Sequence, residues 1–149
     1  MSLLLTARDI VENVLSHTVG RVFWPPTSVA VLVEEDRGVL ALDVDGHHEL
    51  PGGLVKAGEL PKEAGKREVK EETGFDVELG NLLDIRSDAR GNPGIHFFFE
   101  AEIVGGEQDG SWEGEPVFIP REEVRERKWR LHHSHVHEYL FPDEDAVHD

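Results

Sequence analysis

Cysteine is absent from all 149 residues. Neither a disulfide framework nor a thiolate nucleophile is therefore available. Lysine is scarce as well: of the 15 basic residues only Lys56, Lys62, Lys66, Lys70 and Lys128 are lysines. No apolar run approaches the roughly 20 residues that cross a bilayer. Leu3 to Leu5, ahead of Arg8 and Asp9, is too short for a secretion signal. A soluble, cytoplasmic protein with no membrane partner is expected.

Negative charge is the surplus. Aspartate and glutamate number 31, for a formal charge of −16. Such a surface repels nucleic-acid backbones and anionic membranes, so nucleic acid is not an expected partner. An acid-rich, lysine-poor surface resembles that of halophilic proteins, whose self-repulsion is screened by salt. The length fits one domain and suffices to bury a core.

The chain has one organising stretch, Leu50 to Phe75. Pro51-Gly52-Gly53 reads as a turn. Pro61 suits a first helical position, where its missing N–H costs nothing, and Gly74 suits a left-handed helix end. The spacing predicts a helix over 61–73. At about 100° per residue, Glu68, Glu71 and Glu72 share one face, while Lys62, Lys66 and Lys70 form a stripe on another. Like charges at this spacing cost roughly 0.2–0.5 kcal/mol each, and they lie at the helix end that disfavours them. The face is either a solvated acidic surface or a site for a hard divalent cation such as Mg²⁺. Gly65 costs about 1 kcal/mol relative to alanine inside a helix, which points to close packing beside Val69.

Around this stretch, Leu4, Leu5, Ile10, Val14 and Leu15 recur at helical spacing over 3–17, a segment suited to cover a sheet or to form a homodimer. Phe23-Trp24-Pro25-Pro26 breaks the pattern. Strands are expected at 28–34, 39–44, 77–87, 95–104 and 117–119, with turns at Glu35–Gly38 and Asp45–Gly46. Residues 88–94 and 105–114 read as loops. Residues 121–127 begin as a charged helix, and 129–149 read as a partly helical tail, acidic and frayed at its end. Strands on both sides of a central helix, with another helix late, imply an α/β fold: a mixed sheet between helices. The organisation is a single domain over 1–149, with a helical extension over 1–26 and a tail over 129–149.

Gly53, Glu59, Arg67, Glu68, Val69, Glu71, Glu72, Gly74 and Phe75 fit G-x5-E-x7-R-E-U-x-E-E-x-G-U, where U is bulky and apolar. This resembles the signature of the Nudix hydrolases, with every fixed position filled; Phe75 stands where an aliphatic residue is commoner. The resemblance covers roughly 27–127. It implies an α/β/α sandwich and Mg²⁺- or Mn²⁺-dependent hydrolysis of a nucleoside diphosphate linked to another group. It places the metal on Glu68, Glu71 and Glu72, with the Gly53 carbonyl as a further ligand. Arg67 and Glu59 then orient the ligands.

The segment Ser87-Asp88-Ala89-Arg90-Gly91-Asn92 is similar to a D-P-R-G loop of the small ADP-ribose-type pyrophosphatases, with Ala89 in place of proline. Arg90 is there either a bidentate phosphate clamp or an ordinary surface arginine. Phe23, Trp24 and Trp112 are candidates for stacking on a base, against the alternative of packing or surface cover. In similar enzymes a glutamate from a late loop often serves as catalytic base. Glu113, five residues before Phe118, matches that place; Glu115, Glu107 and Glu68 are the alternatives. His133 and His137 have helical zinc-ligand spacing within the cluster His132, His133, His135 and His137, but lack the glutamate of an H-E-x-x-H site. The alternative is a polar tail touching the substrate cleft. ADP-ribose is the favoured substrate. A (d)NTP-sanitising pyrophosphohydrolase and a non-catalytic nucleotide-binding module are the alternatives.

Overall fold

The computed structural model describes residues 10–11, 26–87, 94–130 and 133–142. Its framework begins with strand β1 (Thr27–Glu35), whose valines and alanine bury both faces. Asp36 and Arg37 turn the chain into β2 (Gly38–Val44), an antiparallel hairpin in which Glu34 and Glu35 face Val39 and Gly38. Asp45 and Gly46 then adopt positive φ, of 53° and 80°, the conformation that a two-residue turn needs to match strand twist. That turn leads into β3 (His47–Glu49). Gly52 and Gly53, expected with Pro51 as a turn, begin a short strand, β4 (Gly52–Leu54). It pairs antiparallel with β1, placing Gly53 opposite Val29. Gly52 permits this, because a Cβ there would lie 2.0 Å from the Val29 carbonyl oxygen.

Helix α1 spans Pro61–Thr73, as the spacing predicts. Leu60 has no side chain able to cap it, so the Glu63 carboxylate accepts the Leu60 N–H at 2.8 Å. Gly74 ends it at φ 79°, donating its N–H to the Lys70 carbonyl. The buried face holds Ala64, Gly65, Val69, Glu72 and Thr73. A Cβ on Gly65 would stand 2.8 Å from Leu79 Cδ2, so its role is close packing on the sheet. Burying Val69 completely contributes roughly 1.5–3 kcal/mol.

Long strands β5 (Phe75–Ser87) and β6 (Ile95–Gly106) pair antiparallel, and β6 runs parallel to β1. β7 (Glu115–Ile119) pairs with β2. The result is a mixed sheet ordered β4-β1-β6-β5, joined through the end of β1 to β3-β2-β7. Alternation sends Val29, Val31, Val33 and Phe99 toward α1, and Ala30, Leu32 and Phe98 to the opposite side.

That opposite side is covered by the C-terminal segment. The expected charged helix is a 3-10 helix, Arg121–Glu126. Beyond it the backbone of Lys128 to Arg130 runs beside His48: the His48 N–H donates to the Lys128 carbonyl and the Arg130 N–H to the His48 carbonyl. Helix α2 (Val136–Leu140) buries Val136 and Leu140 against Leu32 and Phe98. Arg86 and Asp84 of β5 bind Glu138 and Tyr139. The segment is partly helical, as expected, and contributes His135, Val136 and Leu140 to the buried residues, while its acidic end lies outside the described residues. Its apolar positions are few and His135 is buried among them, which hides the pattern from sequence. Of the expected N-terminal helix, only Ile10 and Val11 are described, and both are helical. Residues 88–93, 131–132 and 143–149 lie outside the described residues. Among the described residues no helix is long and apolar enough to cross a membrane.

Candidate active site

Strand β4 delivers Gly53 to the side of α1 that carries its acids. A Cβ on Gly53 would fall 2.6 Å from Glu68 Oε1, so only glycine lets this backbone lie against the carboxylate. The Gly52 N–H donates to Glu72 Oε2 at 2.9 Å. Two adjacent glycines therefore meet two of the three helix acids.

Arg67 knits the loop before the helix to the helix itself. Its Nε and Nη2 donate to the two oxygens of Glu59 at 2.8 and 2.9 Å, and Nη2 also reaches the Leu54 carbonyl. Nη1 donates to Glu68 at 2.7 Å and to Glu71 at 3.3 Å. The Arg67 hydrogen bonds, with the Lys56 N–H, hold the Glu59 carboxyl down to about 2. The carboxylates around it keep Arg67 more firmly protonated than usual.

Glu72 differs from its neighbours: it is only 4% exposed. Burial, then a hydrogen bond with the Glu113 carboxyl, pushes its own carboxyl up to about 9. The Gly52 N–H works against that rise, and the charge of Glu68 adds to it. Glu113 thus reaches the acidic box of Glu68, Glu71 and Glu72 from outside the helix, out of the turn Ser111–Gly114, where its N–H bonds to Ser111 Oγ. Glu115, by contrast, lies exposed against Gly110.

The donor chemistry suits a hard divalent cation: three carboxylates and a glycine carbonyl that no side chain shields. The side chains are not closed around one. Among the described residues no three histidine, aspartate or glutamate side chains converge into a metal-holding group. The reason is visible in the contacts: Arg67 draws Glu68 and Glu71 to itself, while Glu72 turns to Gly52 and Glu113. The acidic face was legible from the helix wheel, whereas the burial of Glu72 was not drawn from it. The signal exists, since Glu72 stands three residues from Val69 and seven from Gly65, on the packed side.

Other expected site residues fall differently. Phe23, Trp24 and Arg90 lie outside the described residues, as does His132. Trp112 is 93% exposed, which rules out core packing. His133, His135 and His137 do not converge: His133 bonds to the Leu50 N–H, His135 is buried against Phe98, and His137 is exposed beside Ser134. The zinc reading of that cluster is not supported.

Two cavities differ in their relation to this site. One of about 190 Å³ adjoins Gly52 and Gly53. A wider one of about 520 Å³ contains no residue of the box and is rimmed by Glu34, Glu78, Glu100 and Glu102. Four carboxylates with Arg121 as their lone cation make it a poor place for an anionic phosphoanhydride.

A model of the NUDIX domain family matches residues 24–146, and the chain belongs to the Nudix family. It is 36% identical over 92 residues to an ADP-ribose pyrophosphatase of Methanocaldococcus jannaschii, a match covering 56% of this chain and 54% of that one. A MutT-like protein of Streptomyces ambofaciens is 36% identical over 101 residues, covering 65% and 64%. The chain thus spans between about half and under two thirds of these curated relatives. Among solved structures, a UDP-X diphosphatase superposes with a TM-score of 0.73 at 18% identity, covering 96% of this chain and 73% of that one. An ADP-ribose pyrophosphatase from Streptococcus suis gives 0.65 at 23% identity, covering 84% and 93%. At such identities the superpositions establish the α/β Nudix fold.

Proposed function

We propose that the protein is a divalent-metal-dependent pyrophosphohydrolase that cleaves the phosphoanhydride of a nucleoside diphosphate linked to another moiety, with ADP-ribose as the favoured substrate. The observation that carries this reading is the meeting of Glu72 with both Gly52 and Glu113 beside Glu68 and Gly53. A recognition module has no need of a full carboxylate set plus a further acid from a distant loop. The M. jannaschii relative, itself named for ADP-ribose, supports the choice of substrate.

In this reading Gly53, Glu68, Glu71 and Glu72 would hold Mg²⁺ or Mn²⁺. A bound cation supplies charge neutralisation for the diphosphate and a more acidic water. Arg67 positions Glu68 and Glu71 and, through Glu59, braces the loop against the helix. Glu113 is assigned as the base that accepts the proton of the attacking water. It lies outside the metal set, on a loop of its own, which leaves its oxygens to the proton and not to the cation. Arg90, Phe23 and Trp24 are retained as substrate contacts on the strength of their sequence positions. A small-molecule nucleotide is the partner.

A panel of ADP-ribose, other nucleoside diphosphate derivatives and (d)NTPs, incubated with Mg²⁺ and with chelator, tests the proposal. AMP and ribose 5-phosphate from ADP-ribose, formed only with metal, are expected. Turnover confined to (d)NTPs with release of pyrophosphate would instead indicate the sanitising activity. Binding without turnover would leave a nucleotide-sensing module.

A further inference from the structure

Glu113 stands on the stretch 107–114, between β6 and β7. The apolar content of that stretch is one side chain, Trp112, and it is 93% exposed. No hydrophobic burial therefore fixes where the stretch lies. Charge opposes its place: Glu107, Asp109 and Glu113 come with it toward a helix face that already holds Glu68, Glu71 and Glu72. Its position depends on hydrogen bonds.

One set of these bonds anchors the first limb. The Asp109 N–H donates to the carbonyl of Thr73, the last residue of α1 and the neighbour of Glu72, at 2.8 Å. Glu107 is pressed against the same helix end: a Cβ on Gly74 would stand 2.1 Å from the Glu107 carbonyl oxygen. A second set closes the tip on itself. Ser111 and Gly114 exchange backbone hydrogen bonds of 3.3 and 3.4 Å, and the Glu113 N–H reaches Ser111 Oγ at 3.2 Å. These are long bonds inside a four-residue turn, and they do not tie the turn to α1.

One side chain joins the two limbs. Gln108 Nε2 donates to the Pro116 carbonyl at 3.0 Å. Pro116 is buried in β7, opposite Leu42 of β2. The bond spans eight positions and crosses the neck of the loop, with Glu113 between its ends. Asp109 makes its anchor through the backbone, which any residue but proline can do. The bond across the neck needs a side-chain donor. Glu107, Asp109, Glu113 and Glu115 cannot supply one, because an ionised carboxylate only accepts. Gln108 adjoins Asp109 in the chain, so the two bonds together fasten β7 to the end of α1.

We propose that Gln108 is the positioning residue of the catalytic base: its hydrogen bond across the neck holds Glu113 against Glu72, and it acts on the reaction only through Glu113. The assignment rests on the reading of Glu113 as the base.

A double-mutant cycle of Gln108→Met and Glu113→Gln tests it, with kcat read on ADP-ribose at saturating Mg²⁺. Methionine keeps the length of glutamine and lacks the donor. Gln108→Met should lower kcat about tenfold, the scale of one lost hydrogen bond, with KM within about twofold and melting temperature near wild type. In the Glu113→Gln background the same change should alter kcat by less than about twofold, since the group it positions is gone. Amide hydrogen exchange of the metal-free protein reads the tether without turnover. Gln108→Met should speed exchange at Glu113 and Gly114 about tenfold and leave the β1–β6 ladder unchanged. Wild-type kcat in Gln108→Met, a tenfold loss repeated in the Glu113→Gln background, or unaltered exchange at Glu113 and Gly114 would each overturn the assignment. Failure of the base reading shows separately, as near-normal kcat in Glu113→Gln with exchange at the turn still dependent on Gln108.

Discussion

The two faces of the β4-β1-β6-β5 layer bury similar aliphatic cores but treat polar groups in opposite ways. On the α1 face, charge is gathered: Glu59, Glu68, Glu71 and Glu72 crowd around Arg67, and Glu113 arrives from another loop. On the other face, imidazoles are gathered: His96, His133 and His135 surround Phe98. Charge clustered at a helix end costs free energy unless a cation arrives, whereas rings bonded to backbone and hydroxyl carry no such cost.

Substitution in the box should show the contrast most sharply. Glu72→Gln, measured by steady-state kinetics at saturating Mg²⁺, should reduce kcat by about 10³-fold or more, on the scale of losing metal-centred charge stabilisation. Because it removes a carboxyl that burial already holds protonated, the metal-free variant should melt within a few degrees of wild type. Unaltered turnover would detach Glu72 from the chemistry.

Next in size is Glu113→Gln, expected to lower kcat by about 10²-fold with metal affinity little changed. Near-normal kcat there, with a large loss in Glu68→Gln, would move the base onto α1.

The face opposite α1 answers to pH. Burial, and then the nearby Arg86 guanidinium, pull His135 down to about 4. Glu138 and Asp84 oppose that fall. The unfolded chain therefore binds a proton that the folded protein refuses, and His135 should withdraw stability as pH falls from about 6.5 toward 4, on the order of 2 kcal/mol. Denaturant melts of wild type and His135→Phe across this window check it. The phenylalanine variant, which puts a ring with no titratable group where the His135 ring meets Phe98 edge-on at 4.8 Å, should lose less. Parallel curves would show that other groups carry the acid sensitivity.

Salt should act least selectively. With a formal charge of −16, melting temperature should rise by several degrees from low to molar KCl. A flat or falling curve would remove the halophilic reading and leave the site untouched.

These regions also differ in how far sequence reaches them. Helix α1, its proline start, its glycine end and the acids of its box are local features with fixed spacings, so they are visible in one linear stretch. The β1, β2, β5 and β6 strands were legible from their β-branched and aromatic runs. Strand β4 was not, because Gly-Gly reads as a turn and only close approach to β1 makes it a strand. The pairing of Glu113 with Glu72 and the seat of His133 under Leu50 depend on contacts across 41 and 83 positions, which no local pattern encodes. A histidine-rich stretch resembles a metal site or a solvated tail, and its burial emerges only once α2 docks on Phe98 and Leu32.

The difference between the faces is tested most directly by measuring kcat on ADP-ribose for Glu72→Gln and His135→Phe side by side, at saturating Mg²⁺. The account predicts that Glu72→Gln loses kcat by about 10³-fold, while His135→Phe, on the face away from the helix acids, keeps kcat within about twofold. Loss of kcat in both variants would contradict it.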